Sequence, residues 1–269
     1  MKDNSMKYII SLFFMFISLS SLSADSTFAH PLQVEPVTVY KKVRVDAKGV
    51  ENKESGNYDR QRNVSFEAEW SFLDMFSVKG GGGATKYEST GNKPSTLTDR
   101  WNLGLKFGKA FGGESFRFGV GAGMRLFNKQ TGASPYYQNA PDLYLVKPSF
   151  SLGMGFGALD IVAEMSLVSE TNPTFREKVK QDFRRHYVKG LSVSYGLDNN
   201  QVRLFLETLY YEPYDKRVDK NIDSWYMCPG ISYKLYEGGW LTASAQVPMR
   251  NELYTWDRGL KISYFHFFE

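Results

Sequence analysis

The chain has 269 residues, 42% of them hydrophobic and 23% charged, with a net charge of +4. Those proportions exclude a disordered chain and a coiled coil. One cysteine and three histidines exclude a disulfide framework and a Cys-rich zinc site, and the charge is too small and scattered for nucleic-acid binding.

Residues 1–23 have the order of an export signal: Lys2 and Lys7, an apolar run from Tyr8 to Leu19, then Ser21 and Ser23 before Ala24. A cut after Ala29, with Thr27 two residues before it, extends the signal to 1–29. The apolar run is short for a membrane helix of roughly 20 residues. Loss of 1–23 leaves a mature chain of charge +3. Residues 24–35 are expected to form a periplasmic N-terminal segment, and 36–269 the folded domain.

Beyond this point the pattern has a period of two, which is the period of a strand with different faces. Val64, Phe66, Ala68 and Trp70 alternate with Ser65, Glu67 and Glu69; Phe116, Phe118, Val120, Ala122, Met124 and Leu126 alternate with Arg117, three glycines and Arg125. The composition agrees, with 16% aromatics, 17 Tyr, 20 Phe and 24 Gly. The pattern predicts twelve strands, at 36–47, 62–72, 75–88, 99–110, 115–128, 143–157, 158–169, 185–197, 201–212, 224–235, 239–250 and 256–268. Their connections fall into two sets. Tight turns such as Gly112-Gly113, Gly157-Ala158, Asp198-Asn199-Asn200 and Glu237-Gly238 alternate with longer polar loops at 48–61, 89–98, 129–142, 170–184 and 213–223, and a shorter one at 251–255.

Short turns at one end and long loops at the other are the layout of an all-β transmembrane antiparallel barrel. Closure follows from solvent: an open edge in hydrocarbon leaves backbone groups unpaired. An even strand count puts both termini at the short-turn end, in the periplasm. Aromatic residues near strand ends, among them Trp70, Phe72, Trp101, Trp225, Trp240 and Trp256, suit the two headgroup layers.

The last strand, with Leu260, Ile262, Tyr264 and Phe268 alternating, resembles the terminal strand of Gram-negative outer-membrane β-barrels, although His266 takes an apolar slot and Glu269 follows the aromatic. As a pattern the chain resembles twelve-stranded small-solute porins. That resemblance implies outer-membrane location, recognition of the last strand by the barrel-assembly machinery, and contact with outer-membrane lipid and lipopolysaccharide. It fixes no subfamily.

If apolar rows face lipid, the opposite rows face the lumen. By parity the inward cations are Lys42, Arg44, Lys79, Arg100, Lys106, Arg117, Arg125, Lys147, Arg203, Lys234, Arg250 and Lys261; the inward carboxylates are Asp46, Glu67, Glu69, Asp160, Glu164 and Glu207. A basic lumen favours anions. The expected pore-lining set is Lys79, Lys106, Arg117, Arg125, Lys147 and Arg203 with Glu67, Glu164 and Glu207, and small anionic solutes are the expected cargo. The same charges, paired across strands, would instead hold a filled interior rigid. Inward glycines at 81, 83, 104, 108, 119, 121, 123, 153 and 155 leave a bare wall, either for solute or for an infolded loop. Cys228 falls inward and is expected to be open to thiol reagents in an open channel. In the 170–184 loop, Asn172, Pro173, Phe175, Val179 and Phe183 have the spacing of a short basic helix.

No catalytic constellation stands out. His186 has no serine within two residues, Asp182 and His186 lack a second carboxylate pair, and no Gly-x-Ser-x-Gly, His-Glu-x-x-His or P-loop pattern occurs. No cofactor, metal site or nucleic-acid partner is expected. The leading expectation is a passive channel for small anions. The alternative is a plugged structural or adhesin-like barrel whose extracellular loops, with Tyr136, Tyr137, Tyr211 and Tyr214, bind a ligand; an outer-membrane enzyme ranks last.

Overall fold

The computed structural model describes residues 28, 30–54, 57–90, 95–129, 143–171, 186–213, 223–251 and 258–268. The export signal 1–23, the helix expected from Asn172 onward, and Tyr136, Tyr137, Asp182 and Tyr214 lie outside those residues. Twelve strands follow in order: β1 Lys42–Glu54, β2 Asn57–Phe72, β3 Phe76–Ser89, β4 Ser95–Gly112, β5 Arg117–Lys129, β6 Leu143–Phe156, β7 Leu159–Glu170, β8 His186–Leu197, β9 Val202–Pro213, β10 Ser224–Tyr236, β11 Gly239–Asn251 and β12 Arg258–Phe267. Each pairs antiparallel with its sequence neighbour, and β1 pairs with β12, closing the barrel.

The side chains are sorted the wrong way round for a protein in water. Phe66, Leu105 and Val64 on the outer rows are about 60% exposed, while Lys42, Glu69 and Glu207 on the inner rows are at most 1% exposed. Such an apolar exterior is costly beside water and costs nothing beside acyl chains. Around the short-turn rim the rings gather. Phe72 and Phe76 stack at 6.1 Å, Phe76 meets Phe107 at 5.4 Å, Phe116 meets Phe156 at 5.2 Å, and Tyr236 hydrogen-bonds Tyr264. The turns there use left-handed residues. Asp198, Asn199 and Asn200 have φ of 47°, 51° and 65°, which Asp and Asn tolerate; Leu73 (φ 54°) adopts the same region at a cost of roughly 1–2 kcal/mol.

Strands β3 and β5 to β12 lie within about two residues of the expected bounds, and β4 starts four residues earlier than expected. The first hairpin differs. The expected strand 36–47 begins only at Lys42, and residues 48–54 and 57–61, expected as a loop, continue the β1–β2 ladder to Glu54↔Asn57. The extension carries few apolar residues, so it gave no alternating signal. The ladder there is held by backbone pairing, and Arg60 and Glu51 pair across it at 2.9 Å.

A larger departure concerns residues 28–41. Expected partly as a periplasmic segment (24–35) and partly as strand, the described part of this stretch lies inside the barrel without regular structure. Phe28, Leu32, Val34 and Val37 are at most 3% exposed, and Phe28, Val34 and Val37 form one buried cluster with Ala110, Val162, Val188, Leu209, Tyr226 and Cys228 of the wall. The path is a U. From Lys42 at the short-turn end the chain rises to Glu35, crosses at Leu32–Gln33, and returns so that the Tyr40 hydroxyl donates to the Phe28 carbonyl at 3.1 Å.

Wall glycines make this possible. A Cβ built at Gly119 falls 2.8 Å from Phe28 and 2.9 Å from Val37; one at Gly153 falls 2.9 Å from Phe28; one at Gly121 falls 2.9 Å from the Val37 carbonyl oxygen. The bare inward wall of β4, β5 and β6 is therefore the seat of an infolded segment.

Candidate functional site

The interior is a layered set of ion pairs and backbone bonds between the wall and residues 28–41. On β9, Glu207 is fully buried and accepts from the backbone N–H of Leu32 at 2.8 Å and of Gln33 at 2.9 Å. On β7, Glu164 accepts from the Glu35 N–H at 2.8 Å and pairs with Lys147 of β6 at 2.9 Å. On β2, Glu69 accepts from the Tyr40 N–H at 3.2 Å and from Ser77 at 2.8 Å, and pairs with Lys42 at 3.2 Å and Lys79 at 3.6 Å. Cations hold the segment's carbonyls: Arg44 donates to Leu32 at 2.8 Å, Lys261 to the same oxygen at 3.2 Å, and Lys106 to Thr38. The Glu35 carboxylate pairs with Lys79 and lies 3.6 Å from Lys106. Wall side chains facing a backbone this closely follow from alternation, since every second residue of each strand points inward.

All nine residues expected to line a pore face the interior, but most serve other groups. Lys79, Lys106, Glu164 and Glu207 hold the segment. Arg117 of β5 and Arg203 of β9 (2.9 Å) share Asp160 of β7, and the Arg117 guanidinium lies 5.5 Å from the Phe28 ring centre. Arg125 pairs with Glu67. Among the residues counted as inward, Arg250 is corrected. A bulge between Trp225 and Tyr226 sets it opposite outward Trp225, and it is about half-exposed, 3.2 Å from Asp223. Cys228 is corrected too: it does face inward, yet it is fully buried and not open to reagent. Sequence reasoning missed Glu35, His30 and Tyr40, because residues 36–41 read as strand and 24–35 as external. The signal available was the apolar spacing of Leu32, Val34 and Val37 opposite a wall of glycines.

Two spaces flank the segment. Toward the long-loop end a chamber of about 240 Å³ is lined by His30 and residues 32–36, and by Lys42, Arg44, Lys79, Arg125, Lys147 and Lys261 against only Asp46 and Glu67 from the wall. At the short-turn end a vestibule of about 870 Å³ is lined by Phe28, His30, Tyr40, Arg117, Arg203, Phe265 and Phe267 and by the hairpin turns. His30 borders both spaces, while Val37, with no exposed surface, packs on the wall glycines and lines neither. Among the described residues no cluster of three or more His, Cys, Asp or Glu has the geometry for a metal. His186 is buried, its ring 6.1 Å from that of Tyr211.

No protein-family model and no curated sequence matches the chain. Solved structures do. The COG4313 outer-membrane channel of Pseudomonas putida F1 superposes with a TM-score of 0.61 over 90% of this chain and 100% of that one, at 8% identity. The KdgM porin gives 0.51 over 85% and 99%, at 9% identity. The transport unit of the autotransporter AIDA-I from Escherichia coli gives 0.53 over 94% and 97%, at 11% identity. At these identities the likeness establishes the fold, a closed antiparallel β-barrel, and no shared chemistry.

Proposed function

We propose that this chain, which folds as an outer-membrane β-barrel of the twelve-stranded porin type, is a channel for small anionic solutes whose lumen is closed by its own residues 28–41. The observation that carries the reading is the chamber: six Lys and Arg side chains line it against Glu35, Asp46 and Glu67. A low-dielectric wall concentrates that positive excess along the axis, raising the local concentration of anions and lowering that of cations. The similarity to a porin and to an outer-membrane channel supports the channel part of the reading. Passage requires residues 28–41 to move aside, because they occupy the lumen and His30 borders both the chamber and the vestibule.

In this reading both termini lie in the periplasm, residues 1–23 direct export, the last strand is read by the barrel-assembly machinery, and the belt of exposed apolar residues meets lipid and lipopolysaccharide. The wall residues act by field and by contact with solute, without bond-making chemistry.

The test is the reversal potential of the purified chain in a planar bilayer under a potassium chloride gradient. The expected result is step conductance with a potential of the sign of chloride preference. Cation preference would overturn the basic-lumen reading. The ion-paired interior favours a second reading, a permanently plugged structural or adhesin-like barrel; steady silence under all voltages, from protein shown to be folded, would select it.

A further inference from the structure

The bonds that hold residues 28–41 to the wall are mostly made by backbone groups; the side-chain exceptions are His30, bonded to Lys42, and Glu35. The Glu35 carboxylate enters the barrel wall and takes up the ammonium groups of Lys79 and Lys106, both 3% exposed. The two lysines differ in what else they have. Lys79 also faces Glu69 at 3.6 Å. Lys106 has Glu35 and the Thr38 carbonyl, both on the segment itself. If residues 28–41 left the lumen with nothing in exchange, Lys106 would lose both partners at once, while Lys42 would keep Glu69 and Glu67 and Lys79 would keep Glu69. An anion that takes the place of Glu35 on these lysines binds only when the segment is away, so it favours the undocked state by mass action. The anion has a route, because the chamber is bordered by both Lys79 and Glu35.

The geometry points to a carboxylate-binding site formed by Lys79 and Lys106, filled in the closed chain by Glu35 and taken over by a carboxylate-bearing solute when residues 28–41 leave the lumen. The inference rests on the channel reading and names the ligand chemistry and the regulation of that channel. Glu35 is a tethered occupant. It matches the solute's charge, so the closed lumen keeps its cations satisfied, and it is displaced only by a group of the same kind. Exchange leaves Lys79 and Lys106 with a carboxylate partner, whereas opening without solute leaves Lys106 to water alone.

The native chain carries its own reporter. Cys228 is fully buried in the same cluster as Phe28, Val34 and Val37, so its reaction with N-ethylmaleimide follows removal of the segment. The experiment measures the labelling rate of the full chain in lipid nanodiscs against sodium citrate, with ionic strength held constant by sodium chloride. Citrate is expected to raise the rate about tenfold and to saturate, an equilibrium shift worth about 1.4 kcal/mol. Glu35→Gln is expected to label faster than the native chain without citrate and to need less citrate for the remaining rise. Glu35→Asp is expected to restore native behaviour. Lys106→Met, which removes the stranded ammonium, is expected to label fast with no citrate response. Heat-modified migration of each variant on a gel establishes that its barrel is folded. The proposal fails if citrate acts no more strongly than chloride on the native chain, or if folded Glu35→Gln labels and responds as the native chain does. Bilayer currents separate this failure from that of the channel reading. Anion-preferring current indifferent to Glu35 and citrate leaves the channel and removes the site; citrate-dependent labelling in a barrel that never conducts keeps the site and removes the channel.

Discussion

Replacing Glu207 with alanine isolates what holds the segment at its turning point. The carboxylate is fully buried and accepts two backbone N–H groups, from Leu32 at 2.8 Å and Gln33 at 2.9 Å. A hydrogen bond to a charged group contributes about 1.5–3 kcal/mol, so two contribute about 3–6 kcal/mol. Removing a buried carboxylate also releases its desolvation penalty, which places the net effect toward the lower end. At about 1.4 kcal/mol per decade, the fraction of molecules with the segment undocked should rise by roughly a hundredfold or more. Hydrogen exchange measured by mass spectrometry on the detergent-solubilised barrel reads this directly, because amides in locally opened segments exchange in proportion to the opening. The peptide covering 30–38 should lose protection by that factor while peptides from β5 and β11 keep theirs. Glu207→Gln, which retains one acceptor oxygen, should fall between. Native-like protection of 30–38 in a folded Glu207→Ala barrel would refute the assignment of Glu207 as an anchor.

Glycine substitutions give a steric counterpart. Gly190→Val sets a Cβ 2.9 Å from the Val34 Cγ2, with two further methyl groups to house, and should expose Cys228 to maleimide; Gly49→Ala, with nothing within 4 Å, should leave labelling slow. In the native chain without added anion, Cys228 should react only on the timescale of segment opening, and rapid reaction in the folded barrel would contradict its burial. Asp160→Ala leaves Arg117 and Arg203 without their shared carboxylate and should lower barrel stability by about 3–5 kcal/mol in urea titrations in lipid, read by tryptophan fluorescence. Arg125→Gln with Lys147→Gln removes two chamber cations and should reduce chloride preference in the reversal potential without abolishing current.

Much of the barrel is legible in the sequence because lipid imposes a strict rule on it. A strand in hydrocarbon must be apolar on every second residue, as in Leu241, Ala243, Ala245, Val247 and Met249, and must end in a turn that hides no backbone group, as at Asp198-Asn199-Asn200. Where the rule lapses, so does the signal. The far half of the first hairpin, residues 48–54 and 57–61, alternates weakly in sequence, so it reads as loop. Arg250 reads inward because one bulged residue reverses parity and leaves no mark in composition. Residues 28–41 are the hardest to place. Val37 and Val39 alternate in phase with Val43 and Val45, so 36–41 reads as strand, and the anchors Glu69, Glu164 and Glu207 lie far away in sequence. The nearest clue was an absence: the unfilled inward rows at Gly108, Gly119, Gly121 and Gly153, which leave space for a solute or a loop alike. Val37 and Phe28 occupy it.

A disulfide between the segment and the wall tests the central claim most directly. The Cβ built at Gly190 lies 3.6 Å from the Val34 Cβ, within the span of about 3.5–4.5 Å that a disulfide bridges. In a chain carrying Gly190→Cys, Val34→Cys and Cys228→Ser, mild oxidation of the folded barrel should form the bond and suppress anion current in a bilayer, and reductant should restore it. Failure to form the bond in a folded barrel, or current that persists unchanged once it has formed, would contradict a lumen closed by residues 28–41.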